Sequence, residues 1–114
     1  MPARSIRVLV AEDYPPFRRA LASIMQSRPG LQIICEVEDG PEAVQKAGAL
    51  QPEVVLLDIG LPKLNGIEAA RQIRDLSPKS KILFVSQESS ADLVKAALET
   101  GARATSSRLM LDVN

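Results

Sequence analysis

Residues 54–62 read VVLLDIGLP. The first four are apolar with no polar alternation, the pattern of a short strand covered on both faces. Gln51-Pro52 breaks the chain before this run, and Asp58 follows it directly. A loop containing Pro62 then runs to Asn65, and Gly66 follows. A strand buried on both faces needs helices above and below it. The flanking sequence should therefore alternate between a period of two and a period of 3.6.

Upstream, residues 41–50 predict a short helix with Ala43, Val44, Ala47 and Leu50 inward. Before it, residues 31–37 predict a strand closed by Asp39-Gly40. Phe17, Leu21, Ile24 and Met25 recur at helical spacing after Pro15 and Pro16, and Arg28-Pro29-Gly30 ends that helix. Residues 6–10, IRVLV, are a β-branched run that predicts the first strand. Downstream, Ile67, Ala70, Ile73 and Leu76 mark a helix stopped by Ser77-Pro78, and residues 82–85 predict a fourth strand. Ser89-Ser90-Ala91-Asp92 opens a fourth helix, with Leu93, Val94, Ala97 and Leu98 apolar and Gly101 as its stop. Strands and helices alternating at this spacing imply a parallel sheet wrapped on both sides. Right-handed crossovers make it a doubly wound α/β domain. At 114 residues the chain is one domain, and it carries no internal repeat or linker.

Composition removes several function classes. Lys plus Arg is 14 and Asp plus Glu is 14, so there is no basic excess to bind nucleic acid or an anionic membrane. No apolar run approaches the ~20 residues of a membrane span. Met1-Pro2-Ala3-Arg4-Ser5 leads straight into the first strand, which reads as no secretory signal. The lone Cys35 fits a reducing cytosol and a cytoplasmic location, and its apolar neighbours predict a buried small hydrophobe. With no histidine, the usual zinc sites and the Ser-His and Cys-His nucleophile pairs are excluded. Carboxylate, hydroxyl, amine and guanidinium remain for chemistry.

In a doubly wound sheet, ligands bind beyond the carboxyl ends of the strands. Glu12 and Asp13 follow strand one, Asp58 follows strand three and Ser86 follows strand four. Taken singly, each acid could be a solvated loop residue or a helix cap. Together they predict three carboxylates and a hydroxyl on one edge of the sheet, with Asp58 facing solvent. Crowded like charges disfavour ionisation unless a cation sits among them. An all-oxygen donor set suits a hard octahedral ion, and Mg2+ is the common choice. There is no G-x-G-x-x-G and no Walker A motif, and Glu12-Asp13 would repel a bare phosphate.

The residues resemble the receiver domain of two-component response regulators. Glu12-Asp13, Asp58 in Leu57-Asp58-Ile59-Gly60-Leu61-Pro62, Asn65-Gly66, Val85-Ser86 and Gly101-Ala102 carry the likeness in order and spacing. The run from Leu61 through Ala70 is most similar to receivers that precede a helix-turn-helix output domain. The resemblance implies a flavodoxin-like fold with a five-stranded parallel sheet. Asp58 would be the phosphoacceptor for a sensor histidine kinase. Glu12, Asp13, Asp58 and the backbone carbonyl of Gly60 would hold Mg2+. Ser86 would hydrogen-bond the phosphate. Pro62, Asn65 and Gly66 read as turn residues that shape the loop.

The sequence departs from the family near its end. Arg108 stands where the resemblance puts a phosphate-pairing lysine, and Thr105 stands where an aromatic is usual. Residues 104–107, ATSS, are a poor buried strand, and residues 109–113 resemble only a stub of a fifth helix. The resemblance thus implies one receiver domain over residues 1–114 with a truncated fifth helix, either part of a longer regulator with a DNA-binding output domain or standing alone. The uncovered end predicts a homodimer built around residues 101–114. The competing reading is a degenerate receiver that only docks or dimerises. A phosphatase of the haloacid dehalogenase type is more distant, because it wants a second aspartate where Gly60 sits.

Overall fold

The structure, a computed structural model, describes residues 5–27 and 29–85. Seven elements alternate along them: β1 (Ile6–Ala11), α1 (Pro15–Gln26), β2 (Leu31–Val37), α2 (Gly40–Leu50), β3 (Val54–Asp58), α3 (Gly66–Leu76) and β4 (Lys81–Val85). The strands form one parallel sheet in the order β2-β1-β3-β4. The chain therefore runs outward in one direction, then returns past β1 to β3, which puts the topological switch between β1 and β3. The doubly wound α/β reading and the flavodoxin-like receiver fold hold. Four of the expected five strands fall in the described residues. The fourth helix, Thr105, Arg108, the fifth strand, the truncated fifth helix and the dimerising segment 101–114 lie outside them.

Period-two alternation sorts each inner strand into two cores. Leu9 and Ala11, Val55 and Leu57, and Ile82 and Phe84 face α2 and α3, where they meet Ala43, Val44, Ala47, Ala69, Ala70 and Ile73. Val8, Val10, Leu56 and Val85 face the other way and pack with Phe17, Leu21 and Met25 of α1. Small residues on α2 and α3 let the two helices share one face of the sheet.

The helix faces differ in detail from the periodicity. On α3 the buried stripe is Gly66, Ala69, Ala70 and Ile73, while Ile67 and Leu76 are 37% and 52% exposed. The sheet takes the small residues, because a backbone that approaches closely has no room for a large side chain. Leu50 and Ile24 are half-buried at the margins of their helices. Cys35 is half-buried rather than fully inside, since β2 lies at the end of the described sheet and carries a bulge between Ile33 and Cys35. Pro15 and Pro16 occupy the first positions of α1 rather than preceding it, where their missing N–H groups cost nothing. Asp39 ends the β2 loop and also caps α2, its Oδ1 accepting from Glu42 N–H at 2.8 Å.

Candidate functional site

The register brings the strand ends to one edge of the sheet. Ala11 pairs with both Val37 and Leu57, and Asp58 pairs with Val85. Glu12 follows β1 directly, so its carboxylate and that of Asp13 meet Asp58 from the neighbouring strand. One oxygen from each of the three carboxylates lies within 4.8 Å of the others. Ser86, next after Val85, and Arg108 lie outside the described residues.

Contrary to the sequence reading, Asp58 does not face solvent. Glu12 is fully buried and Asp58 is 3% exposed. Asp58 is the last residue of β3 rather than the first of a loop, so the sheet itself covers it. Its Oδ1 accepts the Gly60 N–H at 3.1 Å. This contact uses the Gly60 N–H and leaves the carbonyl, the group expected to hold a metal, uninvolved in it.

Glu12 has a nearly complete set of partners. Its N–H donates to the Val37 carbonyl at 3.0 Å, and its carbonyl accepts from Arg18 Nη1 at 2.9 Å. Its Oε2 accepts the Tyr14 N–H at 3.0 Å. The remaining oxygen, Oε1, is buried and has no hydrogen-bond partner among the described residues, and Asp13 Oδ1 is in the same condition. Burial drives the Glu12 carboxyl up to about 7, with the negative charges of Asp58 and Asp13 adding to the rise and the Tyr14 N–H opposing it. Burial also raises Asp58, against the Gly60 N–H and with the help of neighbouring Asp13. Two orphaned buried oxygens and a third carboxylate, all hard donors, fit a hard divalent cation with several waters. Mg2+ suits this donor set.

The β3–α3 loop is held by close backbone contact. A Cβ on Gly66 would lie 2.3 Å from the Asp58 carbonyl oxygen and 2.7 Å from Ile59 Cα. No other residue fits there, and the Gly66 N–H closes the loop on the Ile59 carbonyl at 2.8 Å. Asn65 caps α3, its Oδ1 accepting from Glu68 N–H at 3.0 Å. Pro62 presents its carbonyl to Gly40 N–H at 3.2 Å, and Lys63 Nζ lies 3.4 Å from Asp39 Oδ2. The three turn residues named from sequence thus shape the loop behind Asp58. Sequence reasoning missed Arg18, because one arginine of the pair Arg18-Arg19 on an amphipathic helix looks like any solvated cation.

Comparison with known proteins agrees with this geometry. Residues 8–106 match the response regulator receiver domain. The chain belongs to that family, and it is a receiver domain of two-component response regulators. It is 36% identical over 97 residues to the transcriptional regulatory protein LnrK of Bacillus subtilis, covering 85% of this chain and 44% of that protein. It is 40% identical over 104 residues to the protein-glutamate methylesterase/protein-glutamine glutaminase of Thermotoga maritima, covering 90% of this chain and 30% of that one. The chain thus spans less than half the length of these relatives. Among solved structures, it superposes with a TM-score of 0.70 and 30% identity on a chain of the CheX-CheY-BeF3-Mg+2 complex from Borrelia burgdorferi, covering 89% of this chain and 76% of that one. No helix among the described residues is long and apolar enough to cross a membrane.

Proposed function

We propose that this receiver takes a phosphoryl group on Asp58 in a reaction supported by Mg2+. The observation that carries this reading is the pair of buried, unpartnered carboxylate oxygens on Glu12 and Asp13 beside Asp58. The likeness to a chain of a complex solved with BeF3 and Mg2+ supports it.

The residues have separable tasks. An Asp58 carboxylate oxygen forms the new O–P bond while the N–P bond of a kinase phosphohistidine breaks. The bonding pair stays on the imidazole nitrogen, which takes up a proton. Gly60 N–H fixes the Asp58 carboxylate against rotation, and Gly66 lets the loop close behind it. Glu12 and Asp13, with Asp58 and the Gly60 carbonyl, would hold Mg2+, and by the family resemblance Ser86 and Arg108 would receive the phosphoryl oxygens. The ion, when bound, neutralises charge on the transferring group.

The phosphodonor is a sensor histidine kinase, and the receiver acts in the cytoplasm as a switch rather than a turnover enzyme. A DNA-binding output domain is the output we favour, on the likeness to the transcriptional regulator from Bacillus subtilis. Incubation with acetyl phosphate tests the reading. The wild-type chain should gain one phosphoryl group with Mg2+ and none with EDTA, and Asp58→Asn should gain none. Equal labelling of Asp58→Asn would move the nucleophile elsewhere, and no labelling of the wild type would favour the docking-only alternative.

A further inference from the structure

Arg18 sits in an unfavourable place for a surface cation. It lies in the opening turns of α1, which has no side-chain cap and no acid in its first turn. A positive side chain near a helix N-terminus opposes the helix dipole. Its side chain is only 19% exposed. Helical side chains lean back toward the N-terminus, so the long stem of Arg18 reaches over the turn that precedes the helix. There Nη1 donates to the Glu12 carbonyl at 2.9 Å. The same guanidinium lies 3.6 Å from Glu36 Oε1 through Nε and 3.5 Å from Glu38 Oε1 through Nη1. Glu36 and Glu38 come from the end of β2 and beyond it.

Those two carboxylates are exposed, so the ion pairs add little stability. Their effect is directional, because they fix the plane of the guanidinium. Glu12 is then gripped from both ends of its backbone, with its N–H on Val37 and its carbonyl on Arg18. The peptide joining Glu12 to Asp13 cannot rotate without breaking a charge-assisted hydrogen bond. That peptide sets the directions of both side chains.

We propose that Arg18 is a positioning residue which locks the Glu12–Asp13 peptide, through the Glu12 carbonyl and under the orientation of Glu36 and Glu38, so that Glu12 and Asp13 meet a divalent cation in one fixed arrangement. The proposal rests on the cation reading above, but the lock itself exists in the metal-free chain. Three roles for Arg18 predict different results. A purely electrostatic role means that removing the positive charge tightens cation binding. A merely structural role means lower thermal stability with unchanged cation affinity. A positioning role means weaker cation binding although a repelling charge has gone. Partners one layer behind a metal ligand typically alter affinity by about 10-fold or more.

The test compares wild type, Arg18→Ala and Arg18→Lys by Mg2+ titration and by hydrogen exchange at the Glu12 and Tyr14 amides in EDTA. We expect about 10-fold weaker Mg2+ binding in Arg18→Ala. Arg18→Lys should recover part of it, since lysine can reach one acceptor but cannot span three. Both amides should exchange faster in Arg18→Ala without metal, while the Val10 amide inside β1 stays protected. Should Arg18→Ala not fold, Arg18→Lys carries the same two readouts. Unchanged or tighter Mg2+ binding with unchanged amide exchange would overturn the proposal. A wild type that binds no Mg2+ would refute the cation reading, and the amide exchange would still decide whether Arg18 locks the turn.

Discussion

Replacing Glu12 by glutamine tests the electrostatics of the site in the metal-free chain. Burial lifts the Glu12 carboxyl from 4.5 to about 7. Each tenfold change in a proton equilibrium is worth about 1.4 kcal/mol, so holding Glu12 ionised in the fold costs about 3 kcal/mol. The folded chain binds this proton more tightly than the unfolded chain. The contribution of this group to stability is therefore full below pH 4.5 and is lost as pH rises through 7. Asp58 is shifted the same way and adds to the loss. The chain has no histidine, the side chain that ordinarily titrates between pH 5 and 8, so the slope in that window is easy to assign. Urea denaturation in EDTA at pH 5, 6, 7 and 8 should show the midpoint falling with pH for the wild type. Glu12→Gln should flatten most of that fall and be the more stable of the two at pH 8. Saturating Mg2+ should flatten it in the wild type as well, because binding to the folded chain offsets the repulsion. A wild-type midpoint that stays level or rises from pH 5 to 8 in EDTA would refute the reasoning. So would an equal fall in Glu12→Gln.

Other substitutions test the scaffold around the site. Gly66→Ala should destabilise by about 3 kcal/mol or more and abolish phosphoryl labelling, since its Cβ would meet the Asp58 carbonyl oxygen at 2.3 Å; Gly30→Ala, with nothing within 4 Å, should stay within about 0.5 kcal/mol in denaturant titrations. Ile73→Ala removes a fully buried side chain and should cost about 2–5 kcal/mol, whereas Leu76→Ala, at a half-exposed position, should cost under about 1 kcal/mol by the same measurement. Asn65→Ala should cost about 1 kcal/mol through loss of the α3 cap, and Asn65→Asp should restore most of it.

Most of the fold was legible because period two and period 3.6 alternate cleanly. The bounds of β2 match the sequence reading, and β1, β3 and β4 each differ by one residue at one end. The helix faces were less legible. Apolarity alone chose Ile67 and Leu76 on α3, but the sheet selects by size, and Ala69 carries too little hydrophobicity to announce itself. The convergence of Glu12, Asp13 and Asp58 followed from strand order and the position of acids after strands. Their burial did not. Asp58 ends a strand rather than opening a loop, and only the paired register with Val85 reveals how much the sheet covers it. The Arg18 contact was beyond sequence, because it joins α1, the turn after β1 and the end of β2 through geometry that no spacing rule encodes.

The central claim is that the buried acids make Asp58 a phosphoacceptor. An acyl phosphate is reduced by borohydride to an alcohol, which leaves homoserine in place of the aspartate. The wild-type chain, treated with acetyl phosphate and Mg2+ and then borohydride, should yield homoserine at position 58 alone. Glu12→Gln and Asp13→Asn should give much less, and the EDTA control none. Homoserine at another acid, or equal trapping with and without Mg2+, would contradict the account.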